Sequence, residues 1–397
     1  MKGHKALVAG TIALDIIPQF PEEENRDTLL AEGKTIYIAG IDLMLGGCVS
    51  NTGIAMHRLG ADVTLTSKVG DDPLSPVLSG LLDQEGVKNR LLVSKGQASS
   101  ATIVAAAKNR DRTFWHRRGA SQIYDFYDLP YEMLQEADLF HFGYPTGMRC
   151  MHVDGGERLS GLFRKVKELG ITTSMDLSLP GKNSDSGKAD WKVILGKTLP
   201  YVDIFLPSLE EVLFLFHRDI YLDILNRAKG QYAIDYIDLT VLDELGDEMM
   251  DLGVKIFGLK LGKKGFYLRT ADSHGFAEFG KLSDVLAKNW FGRELLDPPY
   301  KPERMISTNG AGDTAIAGFL CGMMEGYNAY ECIRLANAAA ATRIESASGV
   351  HGLDNIRRIA ERIQGGWEKI QIENMGPKWK ANPLTGTLIG SKDAYQR

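Results

Sequence analysis

The sequence predicts an α/β fold: a mostly parallel central sheet covered by helices, with a small β-sheet lid set on that body. Three observations carry the prediction. Short β-branched or apolar runs alternate with stretches of helical spacing along most of the 397 residues, the rhythm of strand–helix–strand units. Several helical stretches end on glycine, which leaves a helix without steric cost. Two segments, 11–45 and 98–120, interrupt the rhythm with strand-like runs bounded by turns.

In chain order, Ala6–Ala9 reads as the first strand. Ser50–Leu59 carries Ile54, Ala55 and Leu59 at helical spacing and meets Gly60 at its stop. Asp62–Val69 then reads as a strand, and Leu74–Glu85 as a helix closed by Gly86. Further strands are expected at Leu139–Phe142, Thr172–Asp176, Ile204–Leu206 and Lys255–Leu261, with helices at Gly156–Leu169 and Leu209–Phe216. In the lid, Ile16-Ile17, Thr35–Ile38 and Asp42–Leu45 lie around the acidic loop Pro21–Asn25. Ala101–Ala106 and Arg112–His116, joined by the polar turn Lys108–Asp111, predict a hairpin. Residues 217–253 are acidic and helical in pattern, 280–305 irregular, and 366–397 an appended polar tail.

Composition narrows the function classes. Apolar residues at 44% and charged residues at 24% are ordinary globular values. A net charge of −5 argues against a general nucleic-acid or anionic-membrane binder. Cys48, Cys150, Cys321 and Cys332 form no C-x-x-C pair and no zinc spacing, so a reducing cytoplasm is expected. No apolar run reaches membrane-spanning length.

The most telling stretch is Ser307-Thr308-Asn309-Gly310-Ala311-Gly312-Asp313-Thr314-Ala315, directly ahead of an apolar helical run. Gly310, Ala311 and Gly312 let backbone amides crowd an oxyanion, and the helix directs its positive end to the same point. Asp313 repels phosphate there, yet it can accept the proton of a hydroxyl that attacks phosphate; its plainer role is a first-turn acid that complements the helix dipole. Gly310–Ala315 also satisfies G-x-G-x-x-A, but only Met305-Ile306 precedes it where a dinucleotide site needs a clear strand. Gly33-Lys34-Thr35 and Gly196-Lys197-Thr198 lack the leading glycine of a Walker A loop. Phosphates that bind here do so without a P-loop lysine.

Ser307–Leu320 resembles the second signature of the PfkB, or ribokinase-like, carbohydrate kinases, D-T-x-G-A-G-D before a small-residue helix, with Ser307 in place of the leading Asp. Gly46-Gly47, Asn51, Gly60 and Gly70 match the looser first signature, although Val49 and Gly53 depart from it. Asp15 after the first strand, Gly119-Ala120-Ser121, Asp176, Ser208-Leu209-Glu210-Glu211 and Leu261–Gly265 follow in the family's order. Ser208 stands where Asn is usual, and Lys260 where Thr is common. The resemblance spans about residues 5–363, which makes 1–365 one kinase domain and 366–397 a tail. It implies a ribokinase-like α/β/α sandwich of nine or ten strands with a β lid, and use of ATP and Mg²⁺ to phosphorylate a hydroxyl, usually on a sugar.

The resemblance makes Asp313 the general base and Gly310–Gly312 the anion hole. It puts Glu211 at the magnesium ion, through water, with first-turn exposure as its plainer reading. Asp15, Gly47 and Asn51 are the candidates for the acceptor pocket, where a carboxylate and a carboxamide can hold vicinal hydroxyls. Asp176 is a candidate for substrate or metal-bound water, and equally a strand-end cap. Gly262 and Gly265 are expected against the nucleotide, and Asn337 beside the adenine. Ser346–Gly349 would border a potassium loop of the kind several relatives have. Phe114, Trp115, His116 and Arg117 either cover the acceptor or pack the lid, including against the lid of a second copy in a homodimer. Two other readings stay open: a nucleoside kinase of the same fold, and a catalytically silent sugar- or nucleotide-binding regulator.

Overall fold

Alternation along the first strand sets the architecture. In β1 (Lys5–Gly10), Ala6 and Val8 join one buried apolar cluster while Leu7 and Ala9 join another. A strand apolar on both sides must be covered on both, and each fully buried Leu or Val stabilises the fold by about 1.5–3 kcal/mol. The computed structural model describes residues 3–20, 32–33, 35–105, 113–286, 288–346, 349–372 and 377–395.

Among the described residues, eleven strands form the main sheet in the order β14-β15-β13-β12-β11-β10-β9-β8-β1-β4-β5. Besides β1 they are β4 (Asp62–Gly70), β5 (Lys88–Ser94), β8 (Leu139–Gly143), β9 (Thr172–Met175), β10 (Ile204–Phe205), β11 (Ile256–Lys260), β12 (Phe266–Thr270), β13 (Glu294–Asp297), β14 (Lys380–Ala381) and β15 (Leu388–Ile389). From β5 to β11 every pairing is parallel; from β11 to β14 every pairing is antiparallel. The helices Cys48–Arg58, Ala311–Glu325 and Ala329–Ile344 cover one face, and Glu157–Glu168 and Leu209–Phe216 the other. None of the described helices is long and apolar enough to cross a membrane.

The lid is a separate sheet of four strands, ordered β3-β2-β6-β7: β2 (Ala13–Gln19), β3 (Gly40–Gly46), β6 (Ala101–Ala105) and β7 (Thr113–Arg117). Its register sorts the side chains. Met44 pairs with Asp15, Asp15 with Thr102, and Thr102 with His116; one residue along, Leu43, Ile16, Ile103 and Trp115 form the next row. Because side chains alternate, the two rows face opposite ways. In the second row Leu43, Ile103 and Trp115 are exposed, while Ile16 packs partly buried against the core of the body.

The helices at Leu74–Glu85 and Leu209–Phe216 lie where their sequence spacing puts them. Three expectations change. Thr35–Ile38 is coil, and the strand starts at Gly40. Residues 280–305 are not irregular throughout: Glu294–Asp297 is β13, buried within the sheet. Residues 366–397 are no appendage, because β15 pairs with β13 and β14 with β15, so two of the eleven strands come from that segment. The loop at 21–25, the turn at 108–111, Ala106 and Arg112 lie outside the described residues, as do 347–348 of the expected potassium loop.

Candidate active site

The site lies where the C-terminal ends of parallel strands meet the N-termini of two helices, the crevice in which open α/β sheets hold ligands. After β1, Thr11 turns the chain toward the lid. The helix Cys48–Arg58 starts at Gly47, whose φ of 88° favours glycine and where a Cβ would lie 2.6 Å from the Thr11 carbonyl oxygen. Next to it, a Cβ at Gly46 would lie 2.6 Å from the Asp15 carboxylate. The Gly46-Gly47 pair thus lets the lid strand, with Asp15, close onto the helix start.

From one turn into that helix, Asn51 Nδ2 donates to Asp313 Oδ2 at 3.0 Å, and Tyr144 Oη donates to Asp313 Oδ1 at 2.6 Å. Tyr144 follows β8 and adopts φ 62°, ψ 40°, a left-handed conformation that is costly for a bulky residue and common at functional sites. Asp313 belongs to the first turn of Ala311–Glu325, capped by Gly310 at φ 73°. The amides of Gly312 and Asp313 lie in that turn, where no carbonyl precedes them in the helix. The Ala311 amide donates to the Thr308 carbonyl at 3.2 Å, so of the three amides expected to form an anion hole it is already engaged.

Asp313 is buried, and burial raises its pKa. The charge of Lys260 and the hydrogen bonds from Tyr144 and Asn51 pull it back down. A hydrogen bond to an ionised group is worth about 1.5–3 kcal/mol, so these donors favour the carboxylate that a base needs to be. Glu211 is also raised by burial. It closes a reciprocal cap: Ser208 N donates to Glu211 Oε2 at 2.7 Å, and Glu211 N to Ser208 Oγ at 3.3 Å.

A cavity of about 620 Å³ gathers Asp15, Gly47, Asn51, Glu211, Gly262, Gly310, Gly312 and Asp313 in its wall. Four predicted residues do not line it. Asp176 is fully buried, with Lys260 Nζ 3.8 Å from its Oδ2, so it does not reach the acceptor space. Ala311 is turned into the helix start. Asn337 donates to the Asp297 carbonyl at 2.7 Å and to Asp297 Oδ2 at 2.9 Å. Gly265 backs onto the same residue, since a Cβ there would lie 2.0 Å from the Asp297 carbonyl oxygen. Asp297 also accepts from Lys369 and from Thr387 Oγ1, both in the C-terminal segment.

Sequence reasoning missed Tyr144 and gave Lys260 no role, although both line the cavity. Tyr144 precedes Pro145, which favours an extended residue there, so the sequence held no signal for its left-handed turn toward Asp313. In the lid, Phe114 and His116 line the cavity, and the arginine there is Arg118. Arg117, on the opposite face from His116, donates to Asp72 at 2.9 Å. Burial and the charge of Arg118 lower the pKa of His116.

Comparison with known proteins shows the family. The chain matches the pfkB family of carbohydrate kinases over residues 8–355, and it belongs to that family. It is an ATP-dependent carbohydrate kinase. Similar proteins include an uncharacterized sugar kinase of Archaeoglobus fulgidus, 25% identical over 76% of this chain and 98% of that one. Another is the 2-dehydro-3-deoxygluconokinase of Bacillus subtilis, 21% identical over 80% of this chain and 85% of the relative. Among solved structures, Arabidopsis thaliana ribokinase complexed with ribose and ATP superposes with a TM-score of 0.66 at 18% identity, covering 90% and 98% of the two chains. The Methanocaldococcus jannaschii nucleoside kinase, of the same fold, superposes with a TM-score of 0.61 at 18% identity, covering 91% and 98%.

Proposed function

We propose that this chain transfers the γ-phosphoryl group of ATP to a hydroxyl of a sugar or sugar acid, with Asp313 as general base. The observation that carries this reading is the buried Asp313 carboxylate, held by Asn51 and Tyr144, one residue from the Gly312 amide and open to the cavity. The acceptor hydroxyl sits between Asp313 and the helix-start amides. As its oxygen bonds to phosphorus, its proton passes to Asp313, and the electron pair of the breaking P–O bond leaves on the nucleotide diphosphate. The amides of Gly312 and Asp313 would bind the oxygens on which charge develops. Magnesium, when bound with the nucleotide, neutralises phosphate charge. Glu211 is the carboxylate nearest that role, acting through water.

Asp15 and Asn51 hold acceptor hydroxyls, and Gly47 lets the acceptor approach the backbone. At the lid side, Arg118 gives the cavity a positive wall and His116 adds a hydrogen-bonding ring beside it, which favours an acceptor with a carboxylate or phosphate. The exposed apolar residues Leu43, Ile103 and Trp115 of the lid support a homodimer through it. The test is an ATP-coupled assay over neutral sugars, sugar acids, sugar phosphates and adenosine. Turnover of a sugar or sugar acid supports the reading, adenosine alone replaces it with a nucleoside kinase, and tight sugar binding without turnover replaces it with a silent regulator.

A further inference from the structure

Lys260 ends β11, and two backbone constraints hold its position: its N–H donates to the Pro207 carbonyl at 2.9 Å, and it bridges to Ser208 at the start of the next helix. From there the side chain crosses the mouth of the anion site. A Cβ on Gly312 would lie 3.6 Å from Lys260 Cδ and 3.9 Å from Nζ. The side chain is 13% exposed, with its open part on the cavity. Burial raises the pKa of Asp176, Asp313 and Glu211, and the charge of Lys260 opposes that rise in each. Three carboxylates therefore share this one ammonium group, at the place where a phosphoryl group must arrive. Both oxygens of Asp176 are buried with no hydrogen-bond partner among the described residues, and Nζ stands 3.8 Å from Oδ2, outside hydrogen-bond range. An ammonium so placed is attracted by Asp176 but not locked to it, and stays available to an anion on the Gly312 side.

We propose that Lys260 is a catalytic residue: its ammonium bonds the transferring phosphoryl group beside the Gly312 amide and stabilises the charge that builds there. Asp176 is its positioning residue, not a substrate ligand. The lysine a phosphate site lacks when it has no P-loop is supplied here from another strand. The assignment rests on the kinase reading above, and the experiment separates the two.

Full-length Lys260→Met, Lys260→Gln and Asp176→Asn variants, with folding checked by circular dichroism, are assayed on the acceptor the wild type turns over best. ATP and inorganic phosphate are titrated into each by calorimetry. Either neutral Lys260 variant that folds decides the matter. The expected result is a kcat loss of about 10²–10³-fold, the size seen on removing a transition-state donor, with acceptor KM within about threefold. Affinity for ATP should weaken about tenfold. Asp176→Asn should show a smaller kcat loss, about fivefold to twentyfold, with a raised KM for ATP and an unchanged KM for the acceptor. Neutral variants with kcat and ATP affinity within about threefold of wild type would overturn the role of Lys260. Acceptor KM rising in Asp176→Asn would restore that residue to the acceptor site. Should the wild type turn over no acceptor, the kinase reading falls, and the calorimetric comparison still decides whether Lys260 binds the phosphate.

Discussion

The floor and the rim of the cavity are built on opposite terms. On the floor, Asp313, Asn51, Tyr144 and Lys260 come from four separate segments and are buried or half-buried, and Asp313 is hydrogen-bonded by two of the others. At the rim, Phe114, His116 and Arg118 come from one lid strand and the residue after it, and all three are exposed. A floor held by mutual contacts keeps one geometry for one reaction. A rim with spare surface can change without disturbing that reaction. The difference teaches that chemistry and acceptor choice can be altered separately in this chain.

The sharpest way to break the comparison is at Asp313. Asp313→Asn should lower kcat by roughly 10²–10⁴-fold while ATP still binds, as steady-state kinetics and calorimetry would show. Near-normal turnover would remove the base. Tyr144→Phe comes next. Burial raises the Asp313 pKa and the Tyr144 hydroxyl opposes that shift. Activity therefore fails as pH falls through the raised value, and losing the hydroxyl should move that acid limb to higher pH. A limb that stays in place in a pH–kcat profile would deny the hydrogen bond its role.

Changes at the rim should move affinity instead. Arg118→Ala should raise KM about tenfold for an acceptor with a carboxylate or phosphate and leave kcat and neutral sugars within about twofold. Equal effects on charged and neutral acceptors would show that the arginine does not read charge. The smallest expected effect on turnover lies on the outer face of the lid. Trp115→Ser should weaken self-association about tenfold or more by light scattering across a concentration series, with kcat nearly unchanged. A wild type that stays monomeric, or dimers that the substitution leaves intact, would remove the lid interface.

The floor was half legible in the sequence. Asp313, Gly312 and Asn51 announce themselves because local spacing and a helix start carry their meaning. Tyr144 and Lys260 do not, because their roles exist only where strands distant in sequence end side by side. Asn337 and Gly265 show what local spacing leaves out. Each matches a position expected at the nucleotide, yet each is engaged with Asp297, whose other partners, Lys369 and Thr387, lie in a segment that reads as a tail. The strands there are two residues long, too short for periodicity to reveal.

That pairing has a consequence for how the chain is made. On the ribosome, β13 emerges before β15, so its outer edge has no neighbour until β15 has been made. Unpaired edges invite strangers, and a pause in translation within that window would lengthen the nascent protein's need for a chaperone.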